Sequence, residues 1–222
     1  MPGNPDSQDE AGHLPDAQAD GAASHFFAFL SRMQYIRRWG LMFSTLPENI
    51  SEHSLRVAMI SHALVLIRNT LFGGTLNPDR AAALALYHDA TEVLTGDLPA
   101  PVKYFNPDIE VAYKAIESKA ADSLLAMLPE ALRPAFATYV KADDSGLAPI
   151  VKAADKLCAY LKCLQEIGTG NREFARAERT LRDAVDAIDL PEVQYFLQVF
   201  VPSFRLPLDD LAQDPPATDA PP

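Results

Sequence analysis

A histidine and an aspartate stand side by side, His88-Asp89, at the end of the unbroken apolar run Ala81 to Leu86, with Glu92 following shortly after. The run reads as a buried helix. A His-Asp pair buried there costs free energy unless the polar groups are paired or hold a metal. A metal held by imidazole and carboxylate offsets that cost and is a tool for hydrolysis. Any fold for this chain has to bring partners to that dipeptide.

The chain has 222 residues, enough for one domain with a substantial core. Its 19 Lys and Arg against 30 Asp and Glu give a net charge of −11. That balance argues against long nucleic acid as a partner, because backbone binding normally requires a basic surface. A small phosphorylated ligand stays open, since it needs only a few local cations or a metal. No run of about 18 apolar residues appears, so no membrane span is expected. The acidic, Pro- and Ala-rich start lacks the basic and apolar regions of a secretory signal. Cys158 and Cys163 are five apart, about 140° around a helix, and are poorly placed to bridge. Reduced thiols and a cytoplasmic setting are expected.

Residues 1–23 and 209–222 read as disordered extensions. Residues 24–208 read as one helical domain. Apolar spacing predicts helices over Ser24 to Met33 and Ser51 to Asn69, the latter capped by Asn49 or Ser51. A third opens at Asn77-Pro78-Asp79 and runs through His88 to about Leu94. Thr95 to Pro101, with one Gly and two Pro, reads as a loop. Further helices fit Asp108 to Leu128, Glu130 to Val140, Pro149 to Ile167, Glu173 to Ile188 and Pro191 to Phe200. No segment alternates with period two. The fold class is all-α, a bundle of roughly eight helices with its ligand site between facing helices.

Four residues on three of these helices suit one metal site: His53, His88, Asp89 and Asp155. Two imidazoles and two carboxylates fit a borderline divalent ion such as Mn, Co or Zn. Each residue alone is a weak signal. His62 serves as a control: nine residues after His53, it lies about 180° round the same helix and should face away. His13 falls in the N-terminal extension, and His25 has no evident partner.

A lone His, then His-Asp, then a distant Asp, all on helices, is similar to the HD-domain metal-dependent phosphohydrolases. The segments Ser24–Ala28, Arg37-Arg38-Trp39, Asn49–Leu55, Tyr87–Pro99, Pro101–Asn106, Ala154–Leu164 and Phe200–Phe204 resemble, more closely, the bacterial 5′-deoxynucleotidases of the YfbR type. The resemblance covers about Ser24 to Leu208. It implies hydrolysis of a deoxyribonucleoside 5′-monophosphate to the deoxyribonucleoside and phosphate. It implies one divalent metal on His53, His88, Asp89 and Asp155, an acid/base carboxylate at Glu92, and a phosphate-orienting Arg38 with Trp39 beside it. Substrate contacts are implied at His53, Asp89 and the loop Asp97, Leu98, Pro99, Ala100. A Thr is expected where this chain has Ala100, which removes one hydroxyl from the sugar loop. A homodimer is also implied.

The residues make chemical sense of that reading. A phosphomonoester dianion needs positive charge around it, and Arg38 offers a planar pair of donors. Glu92 lies one turn from His88 and can take a proton from water or give one to the leaving oxygen. Asp97 near C2′ would disfavour a 2′-hydroxyl. A two-iron oxygenase would need more histidines, and a dNTP triphosphohydrolase more cations, than the five His and acidic balance supply. A non-catalytic nucleotide-binding protein on the same fold should have lost a ligand or Glu92, and all are present.

Overall fold

The computed structural model describes residues 23–103, 105–141 and 146–212. Eight helices form the body: α1 Phe26–Leu30, α2 Ile50–Leu71, α3 Pro78–Tyr87, α6 Pro107–Ala126, α7 Arg133–Val140, α8 Ala148–Gly168, α9 Ala175–Asp186 and α10 Pro191–Val199. Three single turns, α4 Glu92–Thr95, α5 Ala100–Lys103 and α11 Leu208–Leu211, are added to the bundle expected from spacing. Among the described residues there is no strand, only an isolated antiparallel bridge between Arg37 and Asn49. Leu208, the expected last residue of the domain, opens α11. His13 and all but the last residue of the 1–23 extension lie outside the described residues.

Local chemistry sets the boundaries. Asn49 caps α2: its side chain accepts from Glu52 N while Glu52 answers to Asn49 N, a capping box. Gly73, at φ +69°, ends that helix in the left-handed region that side chains disfavour. Asn77 and Asn106 cap α3 and α6, each followed by Pro in the first turn. The main core packs α2, α3 and α8 through Val57, Leu64, Ala81, Leu84, Ile150, Ala154 and Leu157, closed by Val185, Val193 and Phe196 from α9 and α10. A second cluster joins Phe26, Ala90, Leu124, Leu125 and Val140. Helix α2 has the length and composition to cross a membrane, yet Val57, Leu64 and Val65 face protein. Cys158 and Cys163 are both free and buried.

One difference from the sequence reading matters to the site. The helix expected to run through His88 to about Leu94 stops at Tyr87. Beyond it the backbone tightens: Ala90 N donates to Tyr87 O at 3.0 Å and Glu92 N to Asp89 O at 3.0 Å, three residues back rather than four. At the break His88 Nδ1 donates to Ala85 O at 2.7 Å, the carbonyl that the Asp89 N–H would meet in a continuing helix.

Candidate metal centre

Adjacent residues of a straight helix point about 100° apart. The break after Tyr87 gathers them instead: His88 Nε2 lies 3.2 Å from Asp89 Oδ2. His53, from the second turn of α2, brings Nε2 to 3.6 Å from the same oxygen and 3.0 Å from Asp155 Oδ1 on α8. One ligand atom each from His53, His88 and Asp89 falls within 4.8 Å of the others. The four residues singled out in the sequence thus meet where α2, α3 and α8 pack. A cleft of about 200 Å³ opens onto His88 and Asp155, walled by Leu84, Ala148, Val151 and Lys152.

The donor set fits a cation. A carbonyl can only accept, so His88 Nδ1 holds the proton and a neutral ring has a bare lone pair at Nε2. That lone pair faces a carboxylate. His53 Nε2 and His88 Nε2 are buried with no hydrogen-bond partner among the described residues. Imidazole nitrogens and carboxylate oxygens gathered this closely suit a positive charge at their centre. The electrostatics show the same demand for positive charge. Burial opposes the His88 cation, but Asp89 and Asp155 raise its pKa overall. His53 is the opposite case: burial outweighs Asp155 and holds it below its ordinary value, neutral and ready to ligate. Asp89 and Asp155 stay ionised despite burial, because His88 and Arg38 favour Asp89⁻ and His53 favours Asp155⁻.

Arg38 leans over this cluster. Its Nη1 is 3.4 Å from Asp89 Oδ2 and its Nη2 is 4.0 Å from Asp155 Oδ1. Burial opposes its charge, but Asp155, Asp89 and Glu48 raise its pKa. Trp39 follows at φ +61°, the only non-glycine residue with positive φ among the described residues, and packs edge-on against Phe174 at 5.2 Å. Glu92 is half-buried and its Oε2 has no partner among the described residues. Burial, then Asp89 and Asp97, push its pKa up to about 9, so the carboxyl is protonated at neutral pH. Asp97 is raised by burial and by Asp89, against the pull of Arg38, which sets it in the same electrostatic neighbourhood.

Not every expected site residue joins the cluster. Leu98 and Pro99 are half-buried and Ala100 is exposed at the start of α5, and none carries a polar side chain that could reach the ligands. The segment read as a continuous loop contains that turn because Pro99 O accepts from Val102 N at 2.8 Å and Lys103 N at 3.0 Å. His62 points elsewhere, 3.5 Å from Asp79. Lys103 is engaged by Glu117 at 2.9 Å, with its ammonium 4.6 Å from the Tyr113 ring centroid.

Sequence reasoning missed Glu48. It precedes a helix cap in a Pro-Glu-Asn segment and has no periodicity to mark it, yet it is 4% exposed and binds Arg38, Trp39 and Arg56. It missed also the buried pair Lys162 and Glu166, whose i, i+4 spacing is that of an ordinary surface pair.

Comparison with known proteins agrees with the geometry. Residues 25–204 match the model of the family described as 5′-deoxynucleotidase YfbR-like. The chain is 55% identical over 191 residues to the 5′-deoxynucleotidase VP0926 of Vibrio parahaemolyticus, covering 85% of this chain and 98% of that protein. It is 54% identical over 195 residues to the 5′-deoxynucleotidase YfbR of Escherichia coli, covering 87% and 98%. Among solved structures, an HD-domain phosphohydrolase from Listeria innocua superposes with a TM-score of 0.70 at 23% identity, covering 81% of this chain and 88% of that one. The HD phosphohydrolase of cyanophage S-2L, solved with dA and one catalytic Zn²⁺ ion, gives 0.59 at 20% identity, covering 79% and 96%. These likenesses show the all-α HD fold. With a family match over residues 25–204 and about 55% identity over most of its length to a curated member, the chain belongs to the YfbR-like 5′-deoxynucleotidase family.

Proposed function

We propose that this protein is a metal-dependent 5′-deoxynucleotidase that hydrolyses deoxyribonucleoside 5′-monophosphates to the deoxyribonucleoside and phosphate. The observation that carries the reading is the buried Nε2 atoms of His53 and His88 gathered against Asp89 and Asp155, with Arg38 over them. His53, His88, Asp89 and Asp155 would hold one divalent ion. The identity of the ion is open among Co, Mn, Zn and similar metals, since a mixed N/O set suits several. When bound, the ion supplies Lewis acidity and a more acidic water.

The chain's own groups do the rest. Arg38 presents Nη1 and Nη2 on the side of the ligand cluster, where two parallel donors suit two phosphate oxygens. Phosphate binding there exchanges the guanidinium's contacts with Asp89 and Asp155 for contacts with substrate. Glu92 is assigned the proton-donor role: it protonates the 5′ oxygen as the P–O bond breaks, so that a hydroxyl leaves rather than an alkoxide. Trp39 offers a flat apolar face beside the phosphate site. Asp97, and with it the Leu98–Ala100 loop, is assigned to the sugar, where a carboxylate leaves little room for a 2′-hydroxyl. The reading also carries a cytoplasmic homodimer with no nucleic-acid polymer or membrane partner. Light scattering of the purified protein tests the dimer.

The direct test is phosphate release from dAMP and from AMP by metal-stripped protein, with Co, Mn, Zn or Mg restored one at a time. Metal-dependent release from dAMP and little from AMP is expected. No release with any of the four metals from folded protein would overturn the reading.

A further inference from the structure

The phosphate-reading arginine is held in place from behind. Glu48 Oε2 accepts from Arg38 Nε at 3.2 Å and from Trp39 Nε1 at 3.2 Å, while Oε1 accepts from Arg56 Nη1 at 3.2 Å. The Glu48 backbone carbonyl accepts Arg38 N at 3.1 Å, and Ile50 N returns a bond to Ile36 O at 3.1 Å. One buried residue thus fixes the arginine by its main chain and by the inner edge of its guanidinium, leaving Nη1 and Nη2 toward Asp89 and Asp155. The same carboxylate ties down an indole whose backbone is in a region tryptophan rarely adopts, a conformation that persists only when its surroundings impose it. Glu48 is also the residue before the Asn49 cap of α2, the helix that carries His53 five residues on. A metal ligand and the phosphate donor are therefore registered from one point in the chain.

We propose that Glu48 is a positioning residue for this hydrolysis, setting the Arg38 fork toward the metal ligands and holding Trp39 beside it. The proposal rests on the reading of Arg38 as the phosphate-orienting group. A glutamine at position 48 has one acceptor oxygen for the three donors that share the carboxylate, and its NH₂ faces one of them donor to donor. The bond to Arg38 Nε loses its charge assistance, and the fork is held less firmly.

The experiment is a double-mutant cycle on the metal-loaded enzyme with dAMP, using Glu48→Gln, Arg38→Ala and both together. Glu48→Gln alone should lower kcat/KM by about 10- to 100-fold, the scale of loss from misplacing a group that binds the reacting centre. Inhibition by inorganic phosphate should weaken in parallel, and metal affinity should be retained. In the Arg38→Ala background the same change should cost nothing further. Trp39 is the chain's single tryptophan, so its emission maximum should also shift in Glu48→Gln. Losses that multiply across the cycle, or wild-type phosphate inhibition in Glu48→Gln, overturn the positioning role while leaving Arg38 in its own. Wild-type kcat/KM in Arg38→Ala removes the phosphate reading and this proposal together. Should Glu48→Gln melt below the assay temperature, Glu48→Asp keeps the charge but draws it back by one methylene, and the same cycle applies.

Discussion

Replacing Glu166 by alanine should destabilise this protein strongly. Its carboxylate is 0% exposed and collects five donors. Oε1 accepts from Lys162 Nζ at 2.5 Å and Leu46 N at 3.0 Å; Oε2 accepts from Thr45 N at 2.9 Å, Thr45 Oγ1 at 2.6 Å and Asn171 Nδ2 at 2.8 Å. Lys162, 1% exposed, also donates to the Leu46 carbonyl and lies 5.6 Å from the Phe174 ring centroid. Glu166→Ala strands that ammonium in the interior. Breaking one partner of a buried ion pair costs about 3–5 kcal/mol. The freed Thr45 and Leu46 groups lie in an exposed segment that water can reach, so a further full penalty for each is not expected. A loss of about 4 kcal/mol converts to a fall in melting temperature of roughly 8–16 °C for a domain of this size. Urea melts at constant metal concentration measure it. The double change Lys162→Met with Glu166→Leu should recover about half, because no charge is then left unpaired. A loss under about 1 kcal/mol for Glu166→Ala, or a double variant as unstable as the single, would refute the argument. The pH dependence has a definite sign. Burial works against Glu166 ionisation, yet Lys162, Thr45, Asn171 and Leu46 together hold its folded pKa well below the ordinary carboxylate range. Its contribution is complete above the unfolded value and is lost as pH falls through the folded one.

Glu92→Gln should lower kcat by about 10²–10⁴-fold by removing the proton donor. It should also stabilise the metal-stripped protein by about 1–2 kcal/mol at pH 8, as relief of a strained site group commonly does. The sign follows from a folded pKa of about 9, above the unfolded value: the wild-type protein loses stability as pH rises between the two, and glutamine does not. Calorimetry at pH 6 and pH 8 reads the difference, and equal melting of the two proteins at pH 8 would sink it. His88→Ala should abolish the rise in melting temperature on adding Zn or Co to stripped protein, and a wild-type rise would remove His88 from the ligand set. Asp97→Asn should reduce the dAMP-over-AMP ratio of kcat/KM more than it reduces turnover on dAMP. An unchanged ratio would release Asp97 from sugar discrimination.

The gathering of these four residues was legible because each part of the signal has a chemical reason. His88-Asp89 beside an apolar run, His53 at a capped helix start and Asp155 in an amphipathic helix are costly choices without a common partner, and the fold brings them together. The break at His88 was not legible, since the run Ala-Leu-Tyr-His-Asp-Ala-Thr-Glu-Val-Leu favours helix at nearly every position. At the break one side chain reaches Ala85 O, a local contact that propensity does not see. Glu48 and Glu166 were hidden for a related reason. Their partners lie on segments remote in sequence, such as Thr45 for Glu166 and Arg38 for Glu48, and no local pattern distinguishes a buried carboxylate from a solvated one.

The end of α3 at Tyr87 has an electrostatic consequence of its own. A helix that stops there presents its carbonyl end to the metal centre, and aligned peptide dipoles leave roughly half a negative charge at that end. A cation held by His88 and Asp89 sits at the pole of the helix that favours it, by about 0.3–1 kcal/mol and up to about 2 kcal/mol where water is partly excluded. Had α3 continued through Asp89 as its residues invite, that pole would have moved a turn and more away. The chain therefore spends four residues of helix-forming sequence on a stop, and the stop itself draws positive charge to the place where the ligands converge.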